Sequence, residues 1–365
     1  MRKYVSFLIK PASSCCNLRC RYCFYFDEVE HRELANHGIM QTTTMHNLIN
    51  KALSIAKDAE INFSFQGGEP TLAGLNYFEK FIEYTNAHKN QQIINYALQT
   101  NGYLIDEHWC KFFKENNFLI GVSLDGYDSI HNYFRKNVNL EDTYKRVFKS
   151  IELLKEYRVD FNILTVLTST LSKHPDKLFK FYKKNDLRYI QFIPCIPGLD
   201  EAKNEYSLTA RQFSAFYKRF FDNFKQELYH GNYISINLFD NLISLFAGEM
   251  GHQCGLTGRC TTHLVIEGSG DVYPCDFYSL DEYKCGNINE NSLEEIVSSK
   301  VIDDFIKEER RPCKSCLTCP FKPICNRNCK RLNVAYYDED YCGYRDFIEY
   351  AYKDLVYISR HLKRR

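Results

Sequence analysis

The sequence has no excess of charge of one sign and no long apolar run. Its 365 residues include 47 basic and 46 acidic side chains, which gives a net charge of +1. A balanced charge gives no reason to expect nucleic acid or an anionic membrane as a partner. No segment approaches the roughly 18 apolar residues that a membrane-spanning helix needs, so we expect no membrane insertion.

We also expect no secretory leader, and no low-complexity segment is visible in the sequence. The N-terminal apolar run covers only about six residues before Pro11, whereas the hydrophobic region of a signal peptide takes about 7–15. We therefore expect a cytoplasmic protein in a reducing compartment, where disulfides are rare. The absence of repeats and low-complexity runs indicates that the parts of the chain pack together without a flexible linker.

Sixteen cysteines stand out against this background. In a long, reduced chain, clustered cysteines favour metal or iron–sulfur ligation over disulfides. Cys16, Cys20 and Cys23 form C-x3-C-x2-C after the first predicted strand, and the adjacent Cys15 is a spare thiol without an assigned role. Three thiolates can hold three irons of a four-iron cluster and leave the fourth iron open to a ligand. A zinc site would need a fourth ligand, and none stands at such a spacing.

The first 195 residues alternate strand and helix patterns. Six strands are predicted, at YVSFLIK, INFSFQ, INYALQT, FLIGVSL, DFNILTVLT and YIQFIP. Alternation with amphipathic stretches predicts parallel strands joined by right-handed crossovers. Six units are too few for an eight-stranded barrel, so we predict an α/β fold with a partial (β/α)6 TIM-like barrel. In such sheets the site lies at the C-terminal ends of the strands.

The composition changes from about Ser207, where an aromatic-rich helical stretch leads into a cysteine-dense segment and then a final helix. We predict a barrel over residues 1–230, a small cysteine-rich domain with its lead-in helix over 231–343, and a C-terminal helix over 344–365.

The N-terminal triplet resembles the cluster motif of the radical S-adenosylmethionine (SAM) superfamily. The stretches GGEP after the second strand, SLDG after the fourth and HNYFR shortly beyond it resemble, in the right order, that superfamily's SAM-binding elements. The resemblance implies that SAM chelates the open iron, that glycines admit its amine, and that a serine and an arginine bind its carboxylate. The implied SAM contacts are Tyr22, Gly67, Gly68, Glu69, Ser123, Arg135 and Ile196, with Tyr22 and Ile196 beside the adenine.

The downstream cysteines resemble the SPASM domain, which carries two auxiliary four-iron clusters in some radical SAM enzymes. The resemblance implies one auxiliary cluster on Cys254, Cys260, Cys275 and Cys329, and a second on Cys316, Cys319, Cys325 and Cys342. Three [4Fe–4S] clusters are thus expected. On spacing alone zinc stays a rival, because zinc ribbons use similar C-x2-C pairs. The neighbouring Cys313 leaves the choice of ligands in this run open, and the isolated Cys110, Cys195 and Cys285 are interpreted as packing residues.

Four stretches, IKPASS, FQGGEPTLAGL, LQTNGYLID and VYPCDFY, resemble anaerobic sulfatase-maturating enzymes, nearly from end to end of the chain. The resemblance implies oxidation of a Cys or Ser side chain in a sulfatase precursor to formylglycine, after hydrogen abstraction by a 5′-deoxyadenosyl radical. It also implies a flavodoxin or ferredoxin as reductant.

Asp276, next to Cys275, is the predicted base, and the remaining electron is expected to pass to the auxiliary cluster that Cys275 helps to hold. An aspartate of pKa about 3.9 cannot usefully deprotonate a thiol of pKa about 8.5. We therefore expect proton loss to follow or accompany hydrogen abstraction. Tyr25 is predicted to border the substrate.

Two alternatives remain at this stage. Another SPASM-type peptide modifier, such as a thioether-forming maturase, would share the motifs. A non-enzymatic iron–sulfur electron-transfer or zinc scaffold protein would bind no SAM and would have four-ligand sites throughout, which the three-cysteine N-terminal motif argues against.

Overall fold

The computed structural model of the chain describes residues 3–201, 203–251, 253–261, 263–311 and 313–361. The strands are β1 (Tyr4–Ile9), β2 (Leu18–Cys20), β3 (Glu60–Phe65), β4 (Ile93–Thr100), β5 (Phe118–Ser123), β6 (Arg135–Asn137), β7 (Asp160–Leu167), β8 (Tyr189–Pro194), β9 (Ser235–Ile236), β10 (Leu264–Ile266), β11 (Asp271–Tyr273) and β12 (Gly286–Asn287).

The helices are α1 (Phe24–Glu30), α2 (Thr42–Leu53), α3 (Leu75–His88), α4 (Glu107–Glu115), α5 (Asp128–Phe134), α6 (Tyr144–Glu156), α7 (Pro175–Lys184), α8 (Ala210–Tyr229), α9 (Asn237–Phe246), α10 (Leu293–Val297), α11 (Lys300–Lys307), α12 (Lys322–Cys325) and α13 (Gly343–His361). The predicted final helix is α13, and its predicted positions 362–365 lie outside the described residues. Within the described part of the chain, no helix has the length and apolarity to cross a membrane.

The chain divides into two compact units. The first contains residues 1–123, 132–161 and 262–308, and the second contains 124–131, 162–261 and 309–365. The domain boundaries predicted from the sequence, at residues 230 and 343, stay a prediction.

In the first unit, β1, β3, β4 and β5 are adjacent parallel strands, and β10 runs parallel to the other edge of β1. Strands β11 and β12 extend this side of the sheet in antiparallel pairs. All six predicted strands are present, as β1, β3, β4, β5, β7 and β8. The sequence analysis missed β10, a three-residue strand that comes more than 250 residues after its partner β1.

Aromatic side chains fill the space between the sheet and its helices in the first unit. Helix α3 buries Phe78 and Phe81, three positions apart, as its amphipathic pattern predicts. Phe81 packs edge-on against Phe63 of β3, with the ring centroids 5.0 Å apart, and Phe78 packs in the same way against Phe65. These contacts fix β3, whose C-terminal end leads directly into the candidate site.

In the second unit, β7, β8 and β9 form parallel pairs. Helix α8 begins with a capping box, in which the Thr209 hydroxyl accepts a hydrogen bond from the Gln212 amide while the Gln212 side chain bonds back to Thr209. Helix α13 packs against α8, and its Asp346 accepts hydrogen bonds from Ser214 and Lys218 of that helix.

Candidate active site

The N-terminal cysteines lie in the segment between β1 and α1, residues 10–23, which we call the cysteine loop. Cys20 ends β2, which pairs with β6, and Cys23 is the residue before the first turn of α1. The Cys16 thiol accepts hydrogen bonds from the Leu18 amide at 3.4 Å and the Asn101 side chain at 3.8 Å. Burial, followed by the nearby charge of Glu69, raises the pKa of Cys16 to about 11. A thiol of this kind loses its proton when a metal binds. Three half-buried thiols on one loop fit the ligand set of an open iron–sulfur cluster.

Arg135 of β6 lies beside this loop. It is paired with Cys20 in the β2–β6 ladder, and its guanidinium lies 3.9 Å from the Cys20 sulfur and 5.5 Å from the centre of the Tyr22 ring. Ser123 ends β5 and is buried. The first unit therefore brings the predicted SAM-contacting residues Tyr22 and Arg135 next to the cysteine loop. Ile196, also predicted to contact SAM, is a buried residue of the second unit.

The glycine pair after β3 is pressed against the cysteine loop. The amide of Gly68 donates to the Ser13 carbonyl at 2.9 Å. A Cβ atom on Gly68 would lie 2.2 Å from the Cys15 carbonyl oxygen, a distance that no side chain tolerates. Gly67 has φ of +117°, a conformation that L side chains rarely adopt. Both glycines are thus required by the backbone itself.

Glu69 anchors this loop to the end of β4. It is fully buried, and its Oε1 accepts hydrogen bonds from the Thr71 amide at 3.0 Å and from the hydroxyls of Thr71 and Thr100 at 2.6 and 2.8 Å. Its Oε2 accepts from the Asn101 amide at 2.7 Å. Both carboxylate oxygens are therefore engaged within the protein, and a direct contact of Glu69 with SAM stays a prediction.

Asp276, Tyr25 and Gln66 form a hydrogen-bonded triangle in the first unit. The Tyr25 hydroxyl donates to Asp276 Oδ2 at 2.6 Å. Gln66, the residue directly after β3, donates to the same Oδ2 at 2.7 Å and lies 2.6 Å from the Tyr25 hydroxyl. Burial and the adjacent Asp276 charge raise the pKa of Tyr25 well above its usual value, so this hydroxyl is a donor and not a phenolate. The structure thus brings together two predicted residues, Asp276 and Tyr25, and adds Gln66, which the sequence analysis missed.

Lys10, at the end of β1, lies on the other side of Asp276. Its ammonium nitrogen is 3.5 Å from Asp276 Oδ1, 3.4 Å from a Glu28 oxygen and 3.5 Å from a Glu267 oxygen. It also donates to the Ser279 hydroxyl at 2.9 Å. A lysine that is only 2% exposed was not identified from the sequence, where it appears as one more polar residue at a strand end.

The second unit contains a small cavity lined by four of the predicted cluster ligands, Cys316, Cys319, Cys325 and Cys342. Tyr344 also lines this cavity, and its buried hydroxyl has no hydrogen-bond partner in the described part of the chain. Cys313 borders a neighbouring pocket together with Cys316. Four cysteines around one cavity fit the ligand set of a four-iron cluster.

Three ligands predicted for the other auxiliary cluster, Cys254, Cys260 and Cys329, also belong to the second unit. Arg310 donates to the Cys260 sulfur at 3.6 Å. A Cβ atom on Gly255 would lie 2.7 Å from that of Cys329, so the two segments are in close contact. Cys275 belongs to the first unit, and its place in the same cluster stays a prediction.

Comparisons with known proteins match the chain to two domain families and to characterised enzymes. Residues 11–182 match the radical SAM superfamily, and residues 254–320 match SPASM, an iron–sulfur cluster-binding domain. A cysteine-type anaerobic sulfatase-maturating enzyme of Clostridium perfringens is 40% identical to the chain, over 98% of the chain and 99% of that enzyme. A serine-type enzyme of Bacteroides thetaiotaomicron is 30% identical over 89% of the chain and 82% of its own length.

The solved structure of native anSMEcpe with bound AdoMet and Kp18Cys peptide is 38% identical to the chain and superposes with a TM-score of 0.90, covering 98% of this chain and 100% of that one. The fold class predicted from the sequence is confirmed by this match. The chain is thus a radical SAM enzyme with an iron–sulfur-binding SPASM domain. Within that class it belongs to the family of anaerobic sulfatase-maturating enzymes.

Proposed function

We propose that this enzyme oxidises a cysteine side chain of a sulfatase precursor peptide to Cα-formylglycine. The observation that carries the proposal is the short hydrogen bond between Asp276 and Tyr25, which places a carboxylate beside a residue only two positions after Cys23. The higher identity with the cysteine-type than with the serine-type relative makes cysteine the first side chain to test, and serine the second.

The cofactors of this proposal are SAM and three [4Fe–4S] clusters. Cys16, Cys20 and Cys23 would hold the SAM-binding cluster, Cys254, Cys260, Cys275 and Cys329 one auxiliary cluster, and Cys316, Cys319, Cys325 and Cys342 the other. When bound, these groups supply the 5′-deoxyadenosyl radical and an acceptor for one electron. Tyr22, Gly67, Gly68, Glu69, Ser123, Arg135 and Ile196 are the proposed SAM contacts.

Side chains of the protein accept the proton that the substrate thiol loses. Oxidation removes one hydrogen atom from the substrate carbon, and the thiol proton and one further electron then leave the side chain. The resulting thioaldehyde is hydrolysed to the aldehyde with release of hydrogen sulfide. Asp276 accepts the thiol proton, while Tyr25 and Gln66 donate to its Oδ2 and thereby fix the direction of the carboxylate.

We also propose a flavodoxin or ferredoxin as the reductant and the cytoplasm as the location. Reductive cleavage of SAM consumes one electron, which a small electron-transfer protein can deliver. None of the sixteen cysteines, all of which lie in the described part of the chain, forms a disulfide in the structure, which supports a reducing compartment.

The test is an anaerobic reaction of cluster-loaded enzyme with SAM, a strong reductant and three peptides. The peptides carry Cys, Ser or Ala at one position of a sulfatase motif, and mass spectrometry follows both peptide and 5′-deoxyadenosine. We expect aldehyde from the Cys peptide, in proportion to the 5′-deoxyadenosine formed, and none from the Ala peptide. If 5′-deoxyadenosine forms while the Cys and Ser peptides both stay unchanged, the substrate is a different peptide and the proposal is wrong.

A further inference from the structure

Five ionisable side chains form a buried ion cluster behind the Asp276–Tyr25–Gln66 triangle. Its members are Lys10, Glu28, Arg32, Glu267 and Asp276. The side chains of the first four are at most 2% exposed, and that of Asp276 is 15% exposed. Asp276 is therefore the least buried side chain of the ion cluster.

Arg32 holds the two glutamates of the ion cluster in place. Its guanidinium is 2.8 Å from Glu267 Oε1 and 3.1 Å from Glu28 Oε2. Glu28 Oε1 in addition accepts a hydrogen bond from the Ser279 amide at 2.6 Å. Lys10 lies between these carboxylates and Asp276, so the position of its ammonium group is set from three sides.

The two oxygens of Asp276 have different neighbours. Oδ2 accepts the hydrogen bonds of Tyr25 and Gln66. Oδ1 is buried and has no hydrogen-bond partner in the described part of the chain, but it faces the Lys10 ammonium at 3.5 Å. Among the described residues, Lys10 is the cation that pairs with Asp276, and this contact fixes which oxygen points inward.

The charges of the ion cluster make the contact between Lys10 and Asp276 hard to replace. With all five groups ionised, two cations face three carboxylates, and the ion cluster carries a net charge of −1. Burial opposes the charge on Lys10, yet attraction by Glu28, Glu267 and Asp276 raises its pKa above the usual value. An uncompensated buried charge is strongly destabilising, so loss of Lys10 would leave carboxylates that repel one another.

We propose that Lys10 is a positioning residue of the reaction, whose ammonium group holds Asp276 Oδ1 and thereby fixes the orientation of the carboxylate that takes the substrate proton. This inference rests on the proposed role of Asp276 as base. Glu28, Arg32 and Glu267 keep the ammonium in place and do not contact the reacting atoms. Loss of Lys10 is therefore expected to lower the amount of product formed for each SAM cleaved.

Three variants separate positioning from charge balance. Lys10→Met removes the cation and leaves a net charge of −2. The double variant Lys10→Met/Glu28→Gln restores the wild-type value of −1 without restoring the contact to Asp276. Lys284→Met is the matched control, since it removes a cation of the same unit that pairs with Asp271 and not with Asp276.

The measured quantity is aldehyde formed per 5′-deoxyadenosine, with the KM for peptide as a second readout. Folded enzyme forms both products, so the ratio does not depend on the fraction of the protein that is folded. We expect Lys10→Met and the double variant to cleave SAM with an unchanged peptide KM and a ratio lowered about tenfold or more, the scale of loss for a misplaced catalytic group. Lys284→Met should keep the wild-type ratio.

Two results would overturn the inference. A wild-type ratio in Lys10→Met would show that Asp276 needs no ammonium partner. Recovery of the ratio in the double variant would show that Lys10 acts through charge balance alone. Failure of the wild-type enzyme to form aldehyde would instead contradict the proposed function, so the two failures are distinguishable.

Discussion

At the scale of single residues, the partners of Asp276 come from parts of the first unit that are distant in sequence. Tyr25 comes from α1, Gln66 from the end of β3 and Lys10 from the end of β1. The carboxylate is therefore held by two neutral donors on one oxygen and by one cation on the other.

Replacement of Asp276 by Asn should suppress aldehyde formation and leave SAM cleavage intact. The amide has nearly the same shape and can still bond to Tyr25, but it is not a base. Quantification of both products in one reaction checks this. Asp281→Asn, at an exposed aspartate of the same segment, is the control and should behave like wild type. Normal aldehyde yield from the Asp276 variant would remove it from the mechanism.

Replacement of Tyr344 by Phe should lower the reduction potential of one auxiliary cluster. Tyr344 lines the cavity of Cys316, Cys319, Cys325 and Cys342, and its buried hydroxyl has no partner among the described residues. Hydrogen bonds to cluster sulfurs stabilise the reduced, more negative state. A potentiometric titration followed by electron paramagnetic resonance measures the shift. Tyr341→Phe is the control, because the Tyr341 hydroxyl is bonded to Asp346. An equal shift in both variants would contradict the assignment.

Among the residues of the triangle and the ion cluster, only Asp276 and Tyr25 were predicted from the sequence. Asp276 lies next to a cysteine of a recognisable motif, and Tyr25 lies two positions after another. Gln66 and Lys10 are a polar residue after a strand and a lysine at a strand end, and such residues are usually solvated. Only the packing of β1, β3 and α1 shows that these two are buried or partly buried.

At the scale of elements, the loop after β3 is fixed by its contact with the cysteine loop. Gly68→Ala should disrupt that contact, because the added methyl group would lie 2.2 Å from the Cys15 carbonyl oxygen. We expect weaker SAM binding, measured by equilibrium dialysis, together with lower iron content. Gly231→Ala is the control, because this residue follows α8, has open space around its Cβ and bears only the cost of a φ of +80°, about 1–2 kcal/mol, so the variant should bind SAM normally. Normal SAM binding by the Gly68 variant would contradict the role of this loop.

The regular elements were largely predictable, because their patterns are local. The six predicted strands follow runs of β-branched and aromatic residues, and α3 follows a clear spacing of aromatic residues. Strand β10 was missed, since three residues are too few for a periodic pattern and its partner β1 is remote in sequence. Pairing over such a separation is decided by the tertiary fold.

At the scale of the whole molecule, regular structure and cysteines are unevenly distributed. The described residues between 313 and 342 contain only short helical turns, and Asn326, Arg327 and Asn328 all have positive φ. Up to Lys330, Cys313 is the one buried apolar side chain among the described residues of this segment, and metal binding is then coupled to its folding.

Removal of iron should therefore loosen this segment and leave the sheet of the first unit intact. Hydrogen exchange of the iron-free protein, read by mass spectrometry, should rise over residues 313–342 and stay low in β3, β4 and β5. The iron-loaded protein is the reference for each peptide. Equal protection of residues 313–342 in both forms would show that these residues fold without a cluster.

The pairing of β1 with β10 has a consequence for how the protein is made. The ribosome adds about 5–20 residues per second, so on the order of tens of seconds pass between synthesis of β1 and of β10. During that interval the nascent chain displays an open strand edge, which is a template for unwanted association. Truncated versions that end before Leu264 keep this edge permanently, and we expect them to aggregate where the full chain does not.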